Sequence, residues 1–384
     1  MSSPLKIIIV ISILLSIGYS QEEENSLKIF GYFQNEFYQE THDDLRNINA
    51  FNMQQLNILL QKDMLDDWTA FINLQATNNF SSQRQWGTFS VEEAWIRYRY
   101  DNRFNLKLGL QIPVFNRLNE IKNRSPLLPY IVIPLVYEDS FSEDVDIESY
   151  IPKRAFVQVY GFWEFLENLK LDYAAYLGNS PNVSTWQNLS NSGQDTTDTI
   201  LSGGRLGIRY KGLKAGISYT SDQVLNYAYQ ISTLIRTAED SARYGYLVEA
   251  QKPFRTKPVH RTRIGLDLSY EIGDWLFESE YIDVLHDNKS IFNLNKRFYY
   301  TTLGYQFNEE LFGYVSYWFV KEKYYPAIIQ SFKVFTGGAA YSISDIVTLK
   351  VQMARIKFDY EELINKFNTN ADFNYYSAAV SVYF

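Results

Sequence analysis

Cysteine is absent from all 384 residues, and only three histidines are present. The lack of cysteine excludes disulfides, a thiol nucleophile, a Cys-based metal site and a lipid-modified N-terminal Cys. None of His42, His260 and His286 lies in an HExxH motif or beside a GxSxG elbow. We therefore expect no enzyme, no metal and no cofactor. His260 and His286 could still form a cross-strand pair, although polar rim positions are the simpler interpretation.

Long hydrophobic runs are also scarce. The clearest run spans residues 7–17; Lys6 precedes it, and the small residues Gly18 and Ser20 follow. It is about half the length of the ~20 apolar residues that a membrane-spanning helix needs. We predict a secretory signal peptide at 1–20 and a single domain at 21–384. A retained membrane anchor is the less favoured alternative.

Positive charge is in deficit, with 36 Lys and Arg against 44 Asp and Glu, a net charge of -8. A chain without a clustered basic face is not expected to bind nucleic acid. Aromatic residues, in contrast, make up 17% of the chain, with 31 Tyr and 26 Phe. Tyrosine in such excess is typical of surfaces that meet both hydrocarbon and water, such as the girdles of outer-membrane barrels. Membrane lipid is thus an expected partner.

The rest of the chain divides into segments of the length that a tilted membrane strand requires. We predict sixteen strands, at 27–39, 50–62, 68–79, 88–100, 104–116, 153–163, 168–178, 203–211, 213–221, 259–271, 274–286, 296–307, 311–323, 332–343, 346–359 and 372–384. The gaps between them alternate between short turns rich in Asp, Asn and Gly and longer loops. This alternation is typical of an all-β, up-and-down antiparallel β-barrel with short periplasmic turns and long external loops.

Apolar and polar residues alternate along these segments, as in strands with one lipid face and one wet face. In the segment 104–116, the residues Leu106, Leu108, Leu110, Ile112 and Val114 are expected to face lipid. The last segment, 372–384, alternates in the same way up to the terminal Phe384. An open sheet would leave that strand as an exposed edge. We therefore expect it to pair with the first strand and close the barrel.

Basic residues recur at the positions expected to face the lumen, because Lys or Arg facing lipid at the membrane midplane costs about 2–4 kcal/mol. The candidate channel-lining residues are Arg97, Arg99, Lys107, Arg154, Arg205, Arg209, Lys214, Arg261, Arg263 and Lys350. A barrel of sixteen strands is too wide for side chains alone to fill, so the lumen should hold water.

The third long loop, residues 118–152, is the most informative one. Its first half is apolar, and Pro126, Pro129 and Pro134 keep it out of regular structure. We expect that half to pack against the inside of the wall. The second half is acidic, and its candidate constriction residues are Glu138, Asp139, Glu143, Asp144, Asp146 and Glu148. Folded inward, these carboxylates would face the wall cations and create a transverse field. The alternative is a solvated acidic loop on the cell surface.

The layout resembles the sixteen-stranded porins of Gram-negative outer membranes. Residues 91–115, VEEAWIRYRYDNRFNLKLGLQIPVF, are similar to the strand–turn–strand of the phosphate-selective porin O/P-like group, with Gly109 and Pro113 at matching positions. Gln111 departs from that pattern where a Lys would strengthen an anion site. The resemblance implies diffusion of small hydrophilic solutes or ions, and it is compatible with a homotrimer.

These observations predict an outer-membrane porin that works by passive diffusion. The alternative is a receptor or adhesin barrel whose pore is closed and whose long surface loops bind a partner. Only about six residues separate Gln21 from the first predicted strand. That leaves no room for the large N-terminal plug of an energised transporter.

Overall fold

The structure is a computed structural model. It describes residues 26–42, 47–81, 86–137, 150–180, 197, 199–224, 227–231, 250–255, 259–286, 296–321, 329–360 and 372–384. The predicted signal peptide lies outside the described residues. Within these ranges, no helix is long and apolar enough to cross a membrane.

The strands, numbered in chain order, are longer on average than globular strands and match the tilted membrane-spanning length. They are β1 (Lys28–His42), β2 (Ile48–Leu65), β3 (Trp68–Ser81), β4 (Trp86–Arg99), β5 (Asn105–Gln111), β6 (Ala155–Leu166), β7 (Leu169–Gly178), β8 (Leu201–Tyr210), β9 (Leu213–Val224), β10 (Tyr227–Ile231), β11 (Ala250–Arg255), β12 (Val259–Ile272), β13 (Trp275–His286), β14 (Lys296–Gln306), β15 (Leu311–Lys321), β16 (Ile329–Ser344), β17 (Val347–Tyr360) and β18 (Phe373–Tyr383). One α-helix, α1 (Asn116–Ile121), and two 3-10 turns, Lys122–Leu127 and Leu135–Tyr137, follow β5.

Sixteen of these strands form one closed antiparallel barrel. Consecutive strands are neighbours in the wall, except that β9 pairs with β12 because β10 and β11 form a separate hairpin. Closure is through β1 and β18, with Tyr32 opposite Tyr383 and Phe37 opposite Ala378. The backbone N–H of Gly31 donates to the carbonyl of Phe384 at 2.8 Å. The predicted fold and the pairing of the last strand with the first are confirmed.

Burial alternates along each strand, as the period of two predicts. In β18, Tyr375 and Ser381 point inward and are buried, whereas Tyr376 and Val380 point outward and are exposed. The end of the barrel that carries the tight turns is called the short-turn end below, and the opposite end is the long-loop end.

Two differences from the sequence prediction affect the interior. The predicted strand 104–116 ends at Gln111, so Ile112 and Val114 do not face lipid and are buried inside instead. The physical cause is local: Gly109 has φ 118°, and the pairing of β5 with β6 shifts after Leu108. This irregularity and the following Pro113 turn the chain away from the wall. The hairpin of β10 and β11 was not predicted either, because it lies within a gap interpreted as a loop.

Candidate functional site

The segment between β5 and β6 crosses the interior of the barrel. Its described part, residues 112–137 and 150–154, is called the inner segment. The N–H of Asn116 donates to Ser218 Oγ on β9 at 2.9 Å, and that of Leu118 donates to Glu280 Oε1 on β13 at 2.8 Å. The ring of Tyr130 meets Tyr314 of β15 edge-on, with centroids 4.8 Å apart. Since β15 lies eight strands from β5 in a wall of sixteen, the inner segment reaches the opposite side of the lumen.

Lys350 on β17 holds the inner segment by its backbone. Its ammonium donates to the carbonyl oxygens of Ser125 (3.1 Å), Pro126 (3.0 Å) and Tyr130 (3.2 Å), and to Gln34 Oε1 (2.8 Å). We call this arrangement the Lys350 cage. The 3-10 turn Lys122–Leu127 and the irregular chain after it pair only part of their own carbonyls, as where the N–H of Leu128 donates to the carbonyl of Ser125 at 3.0 Å, and buried carbonyls need a donor. The cage supplies that donor from the wall.

Amides of the wall complete the attachment. Gln352 Oε1 accepts hydrogen bonds from the N–H groups of Ile131 (2.8 Å) and Val132 (2.9 Å), while its Nε2 donates to the carbonyl of Val132 (3.1 Å). Gln54 Nε2 donates to the carbonyl of Ile131 at 3.0 Å. The irregular backbone is thus paired with inward side chains of β2 and β17.

Apolar side chains of the inner segment pack against the inner faces of β13–β18, which we call the apolar flank. Ile131, Ile133, Val136 and Tyr150 are almost completely buried there. The wall contributes Ile282, Val284, Phe298, Tyr300, Tyr314, Trp318, Val320, Phe332, Val334, Ala354, Ile356, Phe373, Tyr375 and Ala379. Along this flank the interior is a hydrophobic core rather than a water-lined wall.

The inner faces of β4–β8 are different, and we call them the charged flank. Lys107 lies opposite Arg97 in the pairing of β5 with β4. Its Nζ is 4.6 Å from the ring centroid of Trp95 and 5.3 Å from that of Tyr160. All of these side chains remain partly exposed. Solvent exposure inside the barrel means that this flank borders a space that water can occupy.

Glu120 of α1 faces the charged flank from the inner segment. Its neighbours Leu118 and Asn119 are buried, whereas Glu120 is exposed although it lies within the barrel. Although it contacts solvent, Glu120 is enclosed by the barrel wall; this desolvation raises its pKa above the ordinary range, and the positive charges of Lys107, Arg205 and Arg124 oppose that shift. A carboxylate and a group of cations thus lie close enough to interact in a part of the interior that solvent reaches.

Several of the predicted wall cations are paired with carboxylates of the wall. Arg205 NH2 is 2.6 Å from Asp267 Oδ1, and its NH1 is 3.4 Å from Asp172 Oδ2. Arg209 Nε is 3.3 Å from Asp172 Oδ1. These ion pairs reduce the net positive charge that the wall presents to the lumen.

Arg261 and Arg263 share Asp222 in a fully buried cluster. Arg261 NH2 and Arg263 NH1 lie 2.6 Å and 3.1 Å from Asp222 Oδ2. The exposed fraction of each side chain is at most 1%. Neither guanidinium is therefore a free cation on the surface of a water-filled passage.

The other predicted residues lie toward the ends of the barrel or outside the described part. Arg99 is exposed near the short-turn end, where its NH2 donates to Asn102 Oδ1 at 2.8 Å, and Lys214 pairs with Glu271 at 2.9 Å. Arg154 is exposed immediately before β6. The predicted constriction residues lie outside the described residues: Glu138, Asp139, Glu143, Asp144, Asp146 and Glu148.

Sequence reasoning missed four residues that organise the interior: Glu120, Asp172, Asp222 and Gln352. Asp172 is a charged residue that alternates with the apolar Leu171 and Tyr173 inside the predicted strand 168–178, so the sequence pattern could have identified it. Asp222 was assigned to a loop, but β9 extends to Val224. No sequence pattern identifies Glu120, because its position depends on the path of the inner segment.

The two histidines do not form the cross-strand pair that their positions allowed. His260 is exposed on the outer face and lies 2.8 Å from Ser221 Oγ. His286 is buried on the inner face. The polar-rim interpretation fits His260.

No protein-family model and no curated protein matches this sequence. Solved structures match over nearly the whole chain. The outer membrane channel DcaP of Acinetobacter baumannii has a TM-score of 0.61 at 10% identity, covering 96% of this chain and 99% of that one. OmpF of Salmonella typhi has a TM-score of 0.60 at 13% identity, covering 95% of this chain and 99% of that one. The anion-selective porin from Comamonas acidovorans has a TM-score of 0.59 at 12% identity, covering 94% of this chain and 100% of that one. These similarities show the barrel fold; the finer resemblance to the O/P-like group stays a prediction.

Proposed function

We propose that this protein is an outer-membrane porin through which small hydrophilic solutes or ions diffuse passively. The observation that carries the proposal is the exposed Glu120 inside the barrel, close to the positive charges of Lys107, Arg205 and Arg124. Oppositely charged surfaces around a solvent-accessible space favour the passage of water and ions, and they discriminate between ions by charge. The solved structures of similar fold include the outer membrane channel DcaP and an anion-selective porin, which supports the same function.

In this proposal the inner segment narrows the lumen. The apolar flank and the Lys350 cage hold it against one side, so that the passage runs along the charged flank. The signal peptide at 1–20 directs export, the short-turn end faces the periplasm, and the long-loop end faces the exterior. The barrel works without catalysis or a cofactor, and a homotrimer is the proposed assembly.

Planar-bilayer recording in a KCl gradient tests the proposal. Discrete current steps support a porin. Silence from folded, inserted protein would contradict it and favour the receptor or adhesin barrel, which the extensive apolar packing inside the lumen makes the second candidate.

The acidic residues of the third long loop are proposed to add to the negative side of the passage. Neutralising Glu143, Asp144 and Asp146 together should shift the reversal potential toward anion preference. An unchanged reversal potential would place that part of the loop away from the passage.

A further inference from the structure

Five basic side chains project from the outer surface of the barrel near the long-loop end. They are Arg297, Lys321, Lys333, Arg355 and Lys357, on the adjacent strands β14–β17, and we call them the outer basic patch. The residues next to them in sequence point inward and are buried, as Phe298, Val320, Val334 and Ile356 show. Because side chains alternate between faces, the patch faces the membrane side of the wall.

The strand register brings like charges together in this patch. Arg297 lies directly opposite Lys321, and Lys333 lies directly opposite Lys357. Like charges at directly opposite positions destabilise a pair of strands. An arrangement of this kind is favourable when an anion lies between the side chains.

Carboxylates of the protein neutralise only part of the patch. Arg297 pairs with Asp283 at 2.9 Å, Lys333 pairs with Asp359 at 2.9 Å, and Arg355 pairs with Asp372 at 3.8 Å. Among the described residues, no carboxylate lies within 4.0 Å of the ammonium of Lys321 or Lys357. Both lysines are exposed, so they are available to an external anion.

Aromatic rings place the patch at the height of the lipid headgroups. On the outer face, one ring contact lies toward the membrane centre from the basic residues: Tyr299 stacks on Phe319 with centroids 5.1 Å apart. A second contact, between Tyr317 and Phe335 at 4.7 Å, continues the same band. Outward aromatic bands mark the boundary between hydrocarbon and headgroups. Cations immediately beyond such a band lie among the headgroups.

On β1 and β2, the outward residues Gln39 and Asn49, which are paired with each other toward this end of the barrel, are exposed and uncharged. Basic residues are thus distributed unevenly over the described part of this end, where the exposed Arg154, immediately before β6, lies apart from the patch. Their concentration on β14–β17 of a chain with net charge -8 is local.

We infer that the outer basic patch is a docking site for a lipid whose headgroup carries phosphate groups, with Lys321 and Lys357 as its principal ligands. Ammonium groups bind phosphate oxygens through charge-assisted hydrogen bonds, and lipid acyl chains would cover the exposed rings beneath. The inference goes beyond conduction and requires only that the barrel is in a membrane. A barrel without channel activity would leave it intact.

Native mass spectrometry of the full chain in detergent tests this site. The probe is lipid A with both phosphates, compared with the same lipid after removal of both phosphates. Each lysine near a charged lipid surface contributes about a fivefold gain in affinity. We expect K321Q and K357Q each to weaken binding of the phosphorylated lipid about fivefold, and the double variant about 25-fold. The dephosphorylated lipid should not distinguish the variants.

The control is R103Q/K211Q, which removes the same charge at exposed residues of the short-turn end and should bind like the wild type. K321R/K357R should retain binding, which separates loss of charge from loss of folding. Equal binding by K321Q/K357Q and the wild type would overturn the inference. So would an equal loss in the control pair, or displacement of the lipid by an equimolar amount of inorganic phosphate.

Discussion

On β13–β18 the inner wall is covered by the inner segment, whereas on β4–β8 it borders open space. The apolar flank contributes Ile282, Phe298 and Trp318, which pack in the core that the inner segment forms with the wall and are almost completely buried. The second offers Arg97 and Lys107, which remain partly exposed. One lumen thus contains a hydrophobic core and a polar passage side by side.

This difference explains the strands that are apolar on both faces, such as β15 (Leu311–Lys321). In a wide barrel, an inward face that contacts water is polar. An inward face that contacts a proline-rich inner segment is instead apolar, because it forms a core. Two-sided apolar strands therefore indicate where an internal segment lies.

The largest effect is expected at the Lys350 cage. Lys350→Met removes the donor that the carbonyls of Ser125, Pro126 and Tyr130 share; Ser125 keeps the N–H of Leu128, and Pro126 keeps the hydroxyl of Tyr383. We expect a loss of about 2–4 kcal/mol in the free energy of unfolding, measured by urea titration in lipid vesicles. Single-channel conductance should also rise, because the inner segment is no longer held against the wall. Lys214→Met breaks an exposed ion pair and should cost less than about 1 kcal/mol. Equal losses of stability in Lys350→Met and Lys214→Met would contradict the proposed difference between the Lys350 cage and an exposed ion pair.

A core substitution within the inner segment should have an effect of similar size on the free energy of unfolding. Ile133 is 1% exposed and Leu127 is 45% exposed. Ile133→Ala should lower the free energy of unfolding by about 2–4 kcal/mol, because it leaves a cavity in the core. Leu127→Ala should change it by no more than about 0.5 kcal/mol. If the two variants unfold alike, the segment is not packed on the apolar flank.

Glu120→Gln should change selectivity more than stability. It removes the negative charge that faces Lys107 and Arg205, so the reversal potential in a KCl gradient should shift toward anions. Glu167→Gln is the matched control, because Glu167 is exposed in the turn after β6. A reversal potential that does not move in the Glu120 variant would show that permeating ions do not pass this carboxylate.

The smallest effect is a pH dependence of the same selectivity. Desolvation by the enclosing barrel wall raises the pKa of Glu120, so the carboxylate is charged at high pH and gains a proton as the pH falls through that raised value. Cation preference should therefore decline at a higher pH than the ordinary Glu pKa of about 4.3. Glu120→Gln should abolish this pH-dependent decline of cation preference. A decline that persists in the variant would show that another group titrates.

The fold could be predicted from the sequence because its signals are local. The alternation of Leu106, Leu108 and Leu110 with polar residues depends only on which face of the strand each side chain takes. Tight turns such as the one at Gly212 can be recognised by their residue composition. Strand pairing then follows from chain order. The end of β5 could not be placed, because Ile112 and Val114 continue the alternation after the chain has left the wall.

The contacts inside the barrel were harder to predict from the sequence. The basic residues were recognised, but the partners of Arg205 and Arg263 depend on which strands are neighbours and which rotamers reach across. Asp267 is 62 residues from Arg205 in the chain. The role of Glu120 depends on how the Lys350 cage and the apolar flank position α1, and local sequence patterns carry no information about that contact.

The absence of cysteine allows the most direct test of the division between the two flanks. Glu120→Cys and Ile133→Cys can each be treated in a planar bilayer with a charged, membrane-impermeant thiol reagent while current is recorded. We predict that the reagent reduces the current through Glu120→Cys channels and leaves that through Ile133→Cys channels unchanged. Equal modification of both, or modification of Ile133→Cys alone, would contradict the account.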